Sequence, residues 1–289
     1  MTEEETPVSS GRRHRLARIV SGLTVVAFAV VIVAGLLSGR TKLTGVVVFG
    51  FVAMIAGVAI SHYVDFDTAN RQVWAYGLAS GAMLASAGGL LAPKAIEPHA
   101  AYGGFAIAFG YLIGYAAHEL GHLSTHYDLP LNAPAAELSL HALAAGSIMG
   151  VLYGSLPNLT ALFGFGVLAH KFPAGFTGSE AVKHSGLPEH VMVVPAAIVA
   201  IAAIPLSIVT PPLSPIVQAT FYGISTGVFA HVGIDMLPEC LHAGSHADRG
   251  GHGVIQCSRN IHAIRHRAVL STFLGAGTIL GLWQLLVLT

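Results

Sequence analysis

Charge is what this chain most lacks. Of its 289 residues only 10% are Asp, Glu, Lys or Arg, where a soluble domain carries about 25%. A globule wetted on every side is therefore excluded. The 14 basic and 14 acidic residues cancel, so there is no electrostatic footing for nucleic acid and none is expected as a partner. Cysteine is scarce too. Cys240 and Cys257 are the only two, and both fall in one inner loop, which excludes a disulfide framework.

Apolar residues fill the space, at 54% of the chain. Runs long enough to cross the hydrocarbon of a bilayer recur from end to end. Nine of them, lettered A to I, cover about 17–38, 42–62, 72–93, 101–120, 136–155, 158–178, 190–210, 213–237 and 266–288. The fold expected is an all-α polytopic membrane protein of about nine transmembrane helices in a lipid bilayer. A tail over 1–16 precedes a single membrane domain over 17–289, which includes a polar inner loop at 238–265. Run A follows Arg12, Arg13, Arg15 and Arg18 but is too long for a signal peptide and lacks a small-residue cleavage site, so it reads as a retained helix.

Basic residues set the orientation. With a cytoplasmic N-terminus the inner side holds Arg12, Arg13, Arg15, Arg18, Arg71, Lys183, Arg249, Arg259, Arg265 and Arg267, and the outer side only Arg40, Lys42 and Lys94. A multi-pass protein of the cell membrane is expected.

An ionisable side chain inside hydrocarbon costs at least about 2.5 kcal/mol at mid-helix, so each one asks for a reason. Run E carries His141, with Glu137 one turn earlier. Run F carries His170 beside Lys171, run H carries His231 and Asp235, and run D ends in His118, Glu119 and His122. Residues four apart share a helix face, so His231 with Asp235, and Glu137 with His141, each make a half-site suited to a divalent transition metal. Small residues lie nearby: Ala144, Ala145 and Gly146 on E, Ala174 and Gly175 on F, Gly227 and Gly233 on H. Small side chains let helices approach closely, and here they are expected to bring the polar faces together. Pro173 and Pro238 each follow an ionisable residue by three positions, and broken helices beside charges recur at transport sites. The bland alternative is that these histidines hydrogen-bond between helices and that Lys171 snorkels or pairs with Asp235.

Four segments, taken together, resemble the ZIP (Zrt/Irt-like) family of divalent-metal transporters. "LHALAAGSIMG" (140–150) is similar to the family's fourth helix, "LAHKFPAGF" (168–176) to its fifth and "GVFAHVGIDMLPE" (227–239) to its seventh. "YGLASGAMLASAGGLLAP" (76–93) is similar to its second. The resemblance spans about 75–288 and leaves A as an extra leading helix. It implies transport of a divalent cation, zinc foremost, with no prosthetic group and no enzymatic step, and with His141, His170 and Asp235 as ligands. It also implies that E and F move against the other helices. The His-Lys pair resembles one branch of the family, in which Lys171 substitutes for the charge of a second metal. Ala145 and Ala174 stand where many members carry acids, so a ZIP-like protein that does not transport remains an alternative. A homodimer is compatible with this reading.

"HELGH" (118–122) resembles the motif of intramembrane zinc proteases, in which two histidines hold zinc and the glutamate activates water. Asp235 is then the third ligand to nominate. Against this, the motif ends run D at the inner lip, and Met236 follows Asp235 where those proteases place glycine. In the transporter reading His118, Glu119, His122 and His126 form an inner relay, joined by Cys240, His242, His246, His252, Cys257 and His262 of the inner loop.

Overall fold

The computed structural model describes residues 7–63, 69–124, 133–156, 161, 164, 168, 170–184, 187–241, 254–256 and 261–287. Each of the nine apolar runs is helical over most of its described residues. The elements are α1 (Pro7–Leu37), α2 (Thr41–Ser61), α3 (Ala69–Ser86, continued by a π-helical turn Ala87–Leu91 and a last α-turn Ala92–Ile96) and α4 (Ala100–Ser124). They continue with α5 (Ala133–Ser155), α6 (Lys171–His184), α7 (Val193–Val209, entered through a 3₁₀ turn Glu189–Met192), α8 (Pro215–Asp235) and α9 (Ile261–Val287). Ala161, Gly164 and Leu168, ahead of α6, are helical as well. Among the described residues seven helices are long and apolar enough to span a membrane: α1 to α5, α7 and α9.

Helix is the form that satisfies backbone groups without water. Many hydroxyls in these apolar helices are satisfied the same way, by carbonyls one turn back. Thr44 Oγ1 donates to Arg40 O at 2.8 Å, Ser139 Oγ to Ala135 O at 2.6 Å and Thr226 Oγ1 to Tyr222 O at 2.7 Å. The α1–α2 hairpin turns on Gly39, whose φ of +71° only glycine adopts without strain. There Arg40 N donates to Gly35 O and Gly39 N to Leu36 O, which closes the end of α1 in a Schellman arrangement.

Two features depart from the all-helical expectation. Glu239–Leu241 and Val254–Gln256 pair as short parallel strands, β1 and β2, between α8 and α9. Pro238 does not break a helix either. The α8 helix already ends at Asp235, and the proline stands beyond it, where it cannot continue the coil.

The helices sort into two bundles. In the first, α5 lies along α7, α2 along α6, and α1 along α7. In the second, α4 lies along α8, α3 along α9, and α3 also meets α8. Contacts between the bundles are sparse. Glycine draws the same line. A Cβ added to Gly146 or Gly150 on α5 would stand 2.5 Å from the α7 carbonyls of Val199 or Ala203, and one on Gly154 2.9 Å from that of Ser207. Gly175 touches the Met54 backbone of α2, Gly227 that of Ile107 on α4, and Gly81 that of Thr272 on α9. Every such backbone approach at a described glycine falls inside one bundle. Hydrogen bonds between helices follow suit: Ser80 Oγ donates to Gly233 O at 2.6 Å in the second bundle, and Lys183 Nζ to Ser61 O at 2.8 Å in the first.

This corrects one expectation. Of the small residues on E, F and H, Ala144 and Ala174 line the cavity that the polar side chains share, but the glycines do not. Gly146, Gly175, Gly227 and Gly233 instead seat each helix on a neighbour in its own bundle. A glycine contact leaves no gap, whereas polar side chains need room between helices.

Candidate metal pathway

Between the bundles lies a cavity of about 160 Å³. To place it, the membrane face holding the start of α1 is called the N face. The cavity runs from mid-bundle toward that face. The first bundle contributes His141 and Ala144 from α5, His170 just ahead of α6, and Ala174 and Thr177 from α6. The second contributes His231 and Asp235 from α8, Gly114 from α4 and Tyr76 from α3.

At its deep end the Nε2 atoms of His141 and His170 stand 3.4 Å apart, with ring centroids 5.5 Å apart. His170 is 3% exposed. Both imidazoles come from the first bundle but from different segments, α5 and the turn just ahead of α6, so tertiary packing sets their separation. One protonated and one bare nitrogen can share a hydrogen bond at that distance. It is also the spacing two nitrogens take on a tetrahedral zinc, about 3.3–3.4 Å for bonds of about 2.0–2.1 Å. Phe229 of α8 caps the pair from the second bundle, its centroid 6.0 Å from His141 and 5.6 Å from His170.

His231 and Asp235 open on the same cavity from α8. His231 is wedged against Gly114, where an added Cβ would stand 2.8 Å from His231 Cβ. Its ring lies edge-on to Tyr111 at 5.1 Å and to Tyr115 at 6.3 Å. It therefore also helps seat α8 on α4.

Lys171 follows His170 in the chain and opens α6. It is 2% exposed and does not line the cavity, although His170 beside it does. Of the two alanines at expected acid positions, Ala174 lines the cavity and Ala145 is buried outside the lining. Glu119 is exposed on α4. The side chains of Glu137, His118 and His122, and the whole of His126, lie outside the described residues. So do Cys257 and the loop histidines His242, His246 and His252. His262 is exposed at the start of α9.

Among the described residues no three His, Cys, Asp or Glu side chains cluster closely enough to hold an ion together. Sequence reasoning missed Tyr76 and Phe229. Neither is ionisable in the ordinary range, and only the packing of α3 and α8 brings them to the site. No family model and no curated protein matches the chain.

Proposed function

We propose that this chain is a ZIP-like transporter of divalent transition-metal cations, zinc foremost, with nine spans, a cytoplasmic N-terminus and a place in the cell membrane. The observation that carries the reading is the 3.4 Å approach of two imidazole nitrogens, one from α5 and one from the turn ahead of α6, inside an apolar bundle and at the head of a cavity. Imidazole is a good ligand for zinc and its neighbours. Two such ligands with water hold an ion loosely, as a cargo that must leave again requires. Asp235 and His231, farther along the same cavity, offer the cation an acid and a further nitrogen on its way to the N face.

The bundles suggest how the site changes sides. Glycine approaches lock each bundle internally, and the sparse seam between them holds the site. On this reading α5 and α6 do not move alone. They carry α1, α2 and α7 with them, and His141 and His170 travel as a pair past α8.

The test is uptake of radioactive zinc into vesicles bearing purified protein. Replacing His141 and His170 together with alanine abolishes saturable uptake while the protein still elutes as one folded species. Uptake at the normal rate by that variant would defeat the proposal. A peptide-cleavage assay on the same preparation addresses the protease reading: zinc-dependent cleavage lost on Glu119→Gln would establish it in place of transport.

A further inference from the structure

The cavity is one-sided. From His141 and His170 its lining runs through Ala174, Thr177 and Asp235, toward the ends of α6 and α8 at the N face. On the other side of the pair the described residues include a buried cluster. Met149 and Leu152 of α5, Leu168 ahead of α6 and Tyr222 of α8 are each at most 1% exposed and belong to one buried cluster.

Two aromatic side chains of α8 stand at this boundary. Phe229 and Tyr222, each 1% exposed, are seven residues apart and so share one helix face, about 10 Å apart along the axis. Phe229 lies directly against both imidazoles, and Tyr222 sits deeper in the cluster that holds Tyr153 of α5. Tyr153 is itself pinned, its hydroxyl accepting a hydrogen bond from Gly164 N at 3.1 Å. Neither Phe229 nor Tyr222 lines the cavity. Both belong to the bundle opposite the histidines.

We propose that Phe229 and Tyr222 are the far-side gate: a two-step aromatic ridge, fixed on α8, that seals the His141–His170 pair from the membrane surface opposite the N face. An apolar constriction excludes a hydrated cation because it offers no replacement for the cation's water. The two rings give that constriction a depth of two helical turns. When the first bundle slides, the histidine pair moves from below Phe229 toward Tyr222, and the seal passes to the other side of the pair. The purpose of the gate rests on the transport reading; its geometry does not.

The experiment therefore uses no metal. Cys240 and Cys257 are replaced by serine, Ala174→Cys supplies one thiol in the cavity, and a charged, membrane-impermeant methanethiosulfonate is added to one face of oriented vesicles at a time. In this background the thiol reacts readily from the N face and slowly from the far face. Phe229→Ala with Tyr222→Ala raises the far-face rate by about tenfold or more and leaves the N-face rate unchanged, as removal of an apolar constriction requires. Phe229→Tyr keeps the seal. An unchanged far-face rate in the double variant overturns the gate. An equal rise from both faces also overturns it, because that marks general loosening of the packing. Loss of zinc uptake in the histidine variants has no bearing on these rates, so the two proposals fail separately.

Discussion

Replacing glycine by alanine should change stability in opposite directions at two kinds of site on these helices. In Gly146→Ala/Gly150→Ala, each new methyl starts 2.5 Å from a carbonyl oxygen of α7, and at Gly150 also 2.8 Å from Leu206 Cβ. Contacts settle near about 3.5–4.0 Å, so α5 and α7 must part by roughly 1 Å, enough to lose about a quarter to a half of each dispersion contact there. Overpacking of this kind costs about 1–3 kcal/mol per site. Alanine returns about 0.5–1 kcal/mol per site through its better helix propensity. The net for the pair is a loss of up to about 5 kcal/mol, centred at about 2.5, or a fall of about 5–10 °C in Tm for the central value at about 2–4 °C per kcal/mol. Gly45 and Gly104, also helical, have nothing within 4 Å of an added Cβ. For Gly45→Ala/Gly104→Ala only the propensity gain remains, and Tm should hold or rise by a few degrees. Thermal unfolding in detergent, followed by tryptophan fluorescence or by the fraction surviving size exclusion, measures both. Equal shifts in the two double variants, or a rise in the first, would refute the claim that glycine contacts lock the bundles.

Other expectations concern the site and its supports. Zinc binding by His141→Ala and by His170→Ala, measured by calorimetry, should fall nearly as far in each single variant as in the double, because one imidazole cannot make the 3.4 Å pair; additive losses would mean that they act apart. Asp235→Asn should slow uptake severalfold without changing the fold, and an unaltered rate removes Asp235 from the route. Ser80→Ala deletes a buried 2.6 Å hydrogen bond to Gly233 O and should cost about 1 kcal/mol, read as a lower Tm with zinc binding intact. Lys183→Met gives up the Ser61 carbonyl and a half-exposed pairing with Glu189 at 3.5 Å, and a small loss of about 0.5–1.5 kcal/mol is expected.

The polar residues that matter were visible because they are out of place. His141, His170, His231 and Asp235 each interrupt an apolar run, and all four open on the one cavity. The glycines were equally visible, but their partners were not. Gly146 sits five residues after His141, so proximity in the chain tied it to the polar site; in space it faces Val199 on α7. Lys171 shows the same limit. It adjoins His170 in sequence, yet His170 lies in the turn ahead of α6 and Lys171 is its first residue, and the lysine is buried outside the cavity lining. The π-helical turn at Ala87–Leu91 in α3 left no mark in the apolar pattern, since a single wide turn shifts the register without changing hydrophobicity.

Hydrophobic length, read from the chain alone, determined that this protein is a set of membrane-scale helices, because a run of apolar residues must satisfy its own backbone wherever water is absent. Tertiary structure alone decided which helices belong together, and therefore that two imidazoles meet at 3.4 Å beneath Phe229 while a lysine next door does not join them. The physical reason is range. Backbone hydrogen bonding acts within a turn and is written in local composition. Helix pairing depends on which glycine finds which carbonyl far along the chain, and a single sequence carries no record of that match.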